Sequence, residues 1–390
     1  MRIHTVGTNQ TLADISKIYG VDESTININN ELVGAPAEGE QLLILTPTRT
    51  HILSATDTPE RMLIRFGISK RTLSAYNPQI SSNEPKPGDL LIVKYSEPPY
   101  GMGVANGNYY KGCSTAMLKK ALPYLTYLTL SSAIMNRDGV SMIFDDSEAL
   151  GIAKNADKIP LLRVFDRESD RDYDDENTRD RLADELIELA VERGYKGIVL
   201  SKLPSGDGIG EFLIQMRKRM IGCDLILFTE VDEKSPEYMS ELADGCILSY
   251  SSLDRENAAS FETGERSAFR NFARSCESSK TMIELPVFAS GSKGYIPVTE
   301  AIDTARRKRR VISNDEQALL SSFKDGKNEY VFASLENIKA ILDSISEYGY
   351  MGMSFDIMRT PISYLTMYNN LFKPAFYTNV RAREGCSRES

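Results

Sequence analysis

From residue 100 onward the chain alternates short apolar runs with amphipathic stretches, and this alternation predicts strands and helices in turn. "GMGVANG", "LTYLTLSSAIM", "IPLLRVFD", "GIVLS", "DLILFTEV", "GCILSYSS", "TMIELPVFA" and "YMGMSFDI" read as eight strands. Most are apolar throughout rather than at every second position, the mark of parallel strands buried on both faces. Helical patterns lie between them. In "TRDRLADELIELAVERG", Leu182, Leu186 and Leu189 share one face, and Asn177 is a candidate cap. Eight strands alternating with helices close an α/β fold of the (β/α)8, TIM-like type. The segment between the seventh and eighth runs is too long for a plain crossover. It predicts a small α+β insertion at about 290–334 within a barrel spanning 100–375, with a tail at 376–390.

The first hundred residues carry a different pattern, repeated once. "HTVGTNQTLADISKIYGVDESTININNEL" aligns with "HILSATDTPERMLIRFGISKRTLSAYNPQ", so that His4 matches His51, Thr11 matches Thr58, Gly20 matches Gly67 and Asn30 matches Asn77. The copies close with "GEQLLIL" and "GDLLIVK". Each predicts a βααβ unit, at 1–46 and 49–95. Thr11 and Thr58 are placed to cap the first helix, and Gly20 and Gly67 to end it with positive φ. The prolines of "SEPPY" mark the boundary with the barrel.

Composition narrows the reading. The chain has 390 residues, 41% hydrophobic and 26% charged, with a net charge of −9, which argues against nucleic acid as a partner. No apolar run approaches the ~20 residues that span a bilayer. "MRIHTVGTNQTLADIS" lacks the apolar core of a signal peptide, so synthesis in the cytoplasm is expected. The five cysteines have neither paired nor metal-finger spacing, and no motif asks for a metal or cofactor. With two histidines and no tryptophan, any sugar stacking falls to Tyr and Phe.

The repeats resemble the LysM module, which binds N-acetylglucosamine-containing glycans such as peptidoglycan and chitin. The resemblance implies that the ligand lies between the loop after the first strand and the loop before the second. In the first copy this implicates Thr8, Asn9, Gln10 and Thr11 with Val33, Gly34, Ala35 and Pro36. In the second it implicates Thr56, Asp57 and Thr58 with Gln79, Ile80, Ser81 and Ser82. The alternative role for these residues is capping and turn formation. The aligned histidines read as strand residues rather than ligands.

The whole order, up to about Phe372, resembles family 18 glycoside hydrolases, and in particular the bacterial spore cortex-lytic N-acetylglucosaminidases with two LysM modules. Those enzymes carry D-G-x-x-x-D-x-E at the end of barrel strand four. The Glu protonates the leaving oxygen, the substrate's N-acetyl group attacks, and the last Asp orients it. Here that motif falls on "KGIVLSKL". Lys196 replaces the first Asp, Gly197 is kept, Val199 is a further motif position, Ser201 replaces the orienting Asp, and Leu203 replaces the acid. Leucine has no proton to give. In strand six Tyr250 is retained but the following Asp is Ser251, and the strand-eight tryptophan corresponds to Phe355 or its neighbour. The expected protein is thus a binder of peptidoglycan or similar glycans with a degenerate barrel. It belongs to spore cortex or coat assembly or germination, is made in the mother cell and deposited on the spore, and has spore-layer proteins as further partners.

The alternative is an active N-acetylglucosaminidase with displaced acids. Asp166, Glu230, Asp232 and Asp356 end strands, and Asp207 and Glu211 follow strand four; Glu230 and Asp356 are the fallback pair. "GDGIG" at 206–210 reads as a turn. "RRKRR" at 306–310 reads as a solvated helix face or a contact for an anionic glycan or acidic protein, and "DRESDRDYDDE" as a solvated loop.

Overall fold

The computed structural model describes residues 1–77, 80, 85–168, 171–232, 234–249, 260–292 and 294–375. The first unit runs β1 (Arg2–Thr5), α1 (Leu12–Tyr19), α2 (Glu23–Asn30) and β2 (Gln41–Ile44); the second runs β3 (Arg49–Ile52), α3 (Pro59–Phe66), α4 (Lys70–Tyr76) and β4 (Leu90–Lys94). In each, the two strands form an antiparallel pair. Thr11 and Thr58 cap α1 and α3, accepting from Asp14 N and Arg61 N, and Gly20 and Gly67 close those helices at φ 62° and 64°.

One asparagine locks each unit. Asn30 Nδ2 donates to the carbonyls of Ile26 and Leu43, and its Oδ1 accepts from Leu43 N. Asn77 repeats this with Leu73 and Ile92, at 2.8 Å in all three bonds. Helix and strand are thereby tied through otherwise unpaired backbone groups.

The barrel follows: β5 (Met102–Tyr109), α5 (Thr115–Ala121), β6 (Tyr127–Asn136) with the hairpin strand β7 (Gly139–Met142), α6 (Ser147–Asn155), β8 (Ile159–Asp166), α7 (Glu176–Arg193), β9 (Gly197–Ser201), α8 (Asp207–Gly222), β10 (Ile226–Val231), α9 (Tyr238–Glu241), β11 (Gly245–Leu248), α10 (Glu265–Ser275) and β12 (Thr281–Glu284). The insertion comprises β13 (Phe288–Gly291), β14 (Gly294–Pro297), α11 (Val298–Lys308), β15 (Ser313–Asp315), β16 (Leu320–Asp325) and β17 (Asn328–Ala333). It is followed by α12 (Leu335–Glu347), β18 (Gly352–Asp356), α13 (Ile362–Leu371) and β19 (Lys373–Pro374). β5, β6, β8, β9, β10, β11, β12 and β18 pair in parallel, and β5–β6 pairing closes the circle into an eight-stranded barrel. The insertion forms its own five-stranded antiparallel sheet. The cap of α7 is Asp175, which accepts from Thr178 N, rather than Asn177, which sits inside the first turn. The β6–β7 hairpin is absent from the sequence reading.

Alternation sorts the strand residues. Val104, Tyr127, Leu161, Val199, Phe228, Ile247 and Met282, one from each of seven strands, form an apolar cluster inside the barrel, with Met351 and Ala375 beneath. Ile198, Leu200, Leu227 and Met353 belong to the large cluster shared with the helices. Above the apolar floor Asn106, Asn108, Thr129 and Ser354 bond to one another at 2.8–3.1 Å.

The two units dock differently. The first meets the insertion: Glu40 pairs with Arg306 at 2.6 Å, Ile312 N donates to Glu38 O, and Asn314 donates to Gly39 O. Gly39 has φ 78°, and a Cβ there would stand 1.8 Å from Ile312 O, so only glycine fits. The second unit meets the strand-entry face, where Arg71 donates to the carbonyls of Pro123 and Leu125. Among the described residues no helix is long and apolar enough to cross a membrane.

Replacing Asn77 with Ala leaves one buried donor and two acceptors unmatched and should cost about 3 kcal/mol in the second unit. Hydrogen exchange should show lost protection at the Ile92 amide and unchanged protection at Leu43 in the first unit.

Candidate functional site

The strand ends at the barrel mouth carry the chemistry. On β8 the inward phase set by Leu161 continues to Arg163, which is 1% exposed. Its Nη1 donates to Tyr110 Oη at 2.9 Å, while Nε and Nη2 have no hydrogen-bond partner among the described residues. Burial works against the guanidinium charge, but Tyr110, Glu230 and Glu284 outweigh it and hold its pKa above the ordinary value. Burial in turn pushes the Tyr110 phenol up to about 12. Glu230 lies two residues beyond the inward Phe228, and Glu284 two beyond the inward Met282. Burial raises the Glu284 carboxyl above its usual range; Arg163 opposes that and Glu230 adds to it.

Asp356, on β18, is 5% exposed. Burial raises its pKa against the pull of Arg359, to which it is paired, and it accepts from the backbone N of Met358 and Arg359. Arg359 also lies over the rings of Tyr110 and Phe288. The mouth therefore combines a buried cation, three carboxyl groups, the half-buried Tyr110 and the exposed ring of Phe288. Such a site can hold a polar ligand, and Glu284 is its candidate proton donor.

On strand four, Ser201 is fully buried and its Oγ has no partner among the described residues. Lys202 then takes a left-handed conformation, φ 61°, and Leu203 packs against the large apolar cluster. Val199 belongs to the apolar floor. Lys196 precedes β9 and is exposed at the strand-entry face, far along the strand from the mouth. Tyr250 and Ser251 lie outside the described residues. Phe355 is fully buried in the helix-side cluster. It does not floor the mouth; its inward neighbours are Ser354 and Asp356.

Several other acids are occupied elsewhere. Asp166 accepts from Tyr173 and Arg171, Glu211 pairs with Arg179, and Asp232 accepts from Lys234 N and Ser235 in an exposed turn. Asp207 opens α8. Sequence reading missed Arg163, Glu284 and Tyr110. The signal available was phase: each stands two residues beyond another inward position, Arg163 within β8, Glu284 at the end of β12 and Tyr110 just past β5.

In the first unit the two implicated loops are adjacent. Thr8 Oγ1 donates to Glu38 at 2.6 Å, and Gly39 N to Val6 O. Asn9 is exposed with φ 57°, and Val33, Gly34 and Ala35 are exposed, Val33 at 85%. Pro36 is half-buried. Gln10 is held by Gly7 N and His4, and Thr11 by its helix cap. In the second unit Thr56 is exposed, Thr58 caps α3, and Asp57 accepts from Ser54 N, Ser54 Oγ and His51 at 2.8–2.9 Å. Ile80 packs on the unit's core, whereas Gln79, Ser81 and Ser82 lie outside the described residues. The aligned histidines thus clamp equivalent loops, His4 through Gln10 and Tyr19 and His51 through Asp57.

These features define a (β/α)8 barrel with an α+β insertion after its seventh strand, preceded by two βααβ units. Spore cortex-lytic enzyme SleL of Bacillus megaterium QM B1551 shares this fold: 18% identity, 96% of this chain and 99% of that one covered, TM-score 0.74. SleL of Bacillus cereus gives 14% identity, 96% and 98% coverage and TM-score 0.75. A class V chitinase from Nicotiana tobaccum matches 71% of this chain over its own full length, at 12% identity and TM-score 0.60. At these identities the likeness is one of fold. No protein-family model matches the sequence, nor does any curated protein.

The bond from Ser54 N, then the contact with His51, lowers the Asp57 carboxyl to about 2. Because its folded pKa is depressed, its contribution to stability is present above the ordinary carboxylate range and is lost as pH falls through about 2. Carboxyl NMR should place its midpoint near that value. His51→Ala should raise the midpoint only in part, since Ser54 N remains.

Proposed function

We propose that the protein binds N-acetylglucosamine-containing glycans, peptidoglycan above all, through its two βααβ units as LysM modules, and that its family 18-like barrel no longer hydrolyses them. The observation that carries this is the end of β9: Ser201 faces inward without a carboxylate, and Leu203 turns onto apolar packing. General acid catalysis supplies typically 10²–10⁴-fold, and neither Ser201 nor Leu203 can provide it. The fold shared with spore cortex-lytic enzymes supports a place in the spore, in cortex or coat assembly or in germination. Synthesis in the mother cell and contact with spore-layer proteins belong to the same proposal.

A second reading, an N-acetylglucosaminidase with displaced acids, is favoured by one observation. Glu230 and the half-buried Glu284 share the mouth with Arg163, and desolvation raises the Glu284 carboxyl above its usual range against the pull of Arg163.

Purified protein should release no N-acetylglucosamine from cortex fragments or chitin oligomers above a blank. Release abolished by Glu284→Gln or Glu230→Gln, yet indifferent to Ser201→Ala, would establish the displaced-acid enzyme instead. Separately, the full chain should pellet with purified peptidoglycan, and Val33→Asp, at an exposed loop tip, should weaken that retention. A wild-type chain that stays in the supernatant at micromolar concentration refutes glycan anchoring.

A further inference from the structure

The second βααβ unit does not close flat against the barrel. Between it and the strand-entry face runs a groove of roughly 1230 Å3, on the side opposite the mouth. Its walls are aliphatic, with Met62, Leu73 and Leu91 from the unit and Leu122 and Pro160 from the barrel. Its rim is cationic: Lys70 and Arg71 from α4, Lys119 from α5, Lys154 and Lys158 around the end of α6, and Lys196 at the entry to β9. Asp157 is the one carboxylate among the described residues that line it. Among the described residues six basic side chains face one carboxylate, a local balance of the opposite sign to the chain's net charge of −9.

Among the described residues none of the five rim lysines pairs with a carboxylate. Arg71 and Lys158 both donate to the Leu125 carbonyl, at 2.9 and 3.0 Å, and Lys154 donates to the Arg193 carbonyl. Among the described residues Lys70, Lys119 and Lys196 form no ion pair. Burial, and then Arg71, push the Lys158 ammonium down to about 7, with Asp157 opposing. Like charges held together beside low-dielectric walls carry an electrostatic cost that a bound anion removes.

We propose that this groove docks an acidic peptide segment bearing aliphatic side chains, supplied by a protein partner. Carboxylates match the rim and aliphatic groups match the walls. No aromatic ring lines the groove among the described residues, which disfavours a stacked sugar chain. The chain's own residues 376–390 carry Arg381, Arg383 and Arg388 against Glu384 and Glu389, the wrong sign for this rim. The site is independent of the loops implicated in glycan binding and of the barrel mouth.

The test uses the full chain and a fluorescein-labelled peptide alternating Glu and Leu, followed by anisotropy at rising salt. Saturable binding that weakens with salt is expected, with a loss of about tenfold or more in a Lys119→Glu, Lys196→Glu double variant. Both positions are exposed, so the variant's unfolding midpoint and its retention on peptidoglycan should match those of the unaltered protein. Undiminished binding by the double variant overturns the proposal. So does equal binding of a Glu–Ser peptide, which would mark a charge patch indifferent to the aliphatic walls. Full displacement of the peptide by hyaluronate at matched charge would assign the groove to an anionic glycan and overturn the peptide assignment.

Discussion

An eight-stranded barrel has an interior only wide enough for its own side chains, so every inward position must be filled and every polar one satisfied. The remaining architecture follows from how this chain meets that constraint. At the bottom the strands contribute apolar groups; above them Asn106, Asn108, Thr129 and Ser354 satisfy one another; and on β8 Arg163 is fully buried, two residues beyond the inward Leu161. A fully buried guanidinium persists only among counter-charges; Glu230 and Glu284 are the carboxyl groups beside it, and the Tyr110 hydroxyl accepts its hydrogen bond. The electrostatics of the mouth are therefore organised around a cation, an arrangement that suits holding a polar ligand.

The same economy of packing explains the asymmetry between the repeats. They share strand pairing, caps, asparagine lock and histidine clamp, yet each offers a different edge to the barrel. The first presents Ala37–Glu40 to the insertion, where Glu40 meets Arg306 out of a run of basic residues. Lys308 and Arg310 of that run pair with Asp325 inside the insertion, so the run is largely structural. The second unit presents α4 and leaves a cavity. Equivalent modules thus become unequal through their neighbours.

Much of this was legible in the sequence because it is local. The βααβ repeats carry their caps and turn glycines in register, and the barrel strands stand out as apolar runs between amphipathic helices. What stayed hidden is phase. A strand buried on both faces reads as continuous hydrophobicity, so nothing in "YMGMSFDI" says that Phe355 faces the helices while Asp356 faces the mouth. The lone arginine of "IPLLRVFD" and the terminal glutamate of "TMIELP" were visible, but their convergence depends on pairing between strands far apart in the chain. Lys196 stands at the first position of the strand-four motif, yet it precedes β9 and lies at the strand-entry face, opposite the mouth. Residues 78–79, 81–84 and 250–259 lie outside the described residues, and with them Gln79, Ser81, Ser82, Tyr250 and Ser251.

The pairing of β5 has a bearing on the order in which the molecule takes shape. This strand is flanked by β6 on one side and by β18 and β19 on the other. Its bond partner Ser354 lies 248 positions beyond Asn106, and Arg306 lies 266 beyond Glu40. During synthesis the small units can complete their own cores as they emerge, but the first barrel strand waits with one edge bare until nearly all of the remaining barrel has been made. A parallel sheet held open in this way folds slowly and offers a template for mispairing. The interval between β6 and β18 is therefore the one in which an unpaired edge is longest exposed.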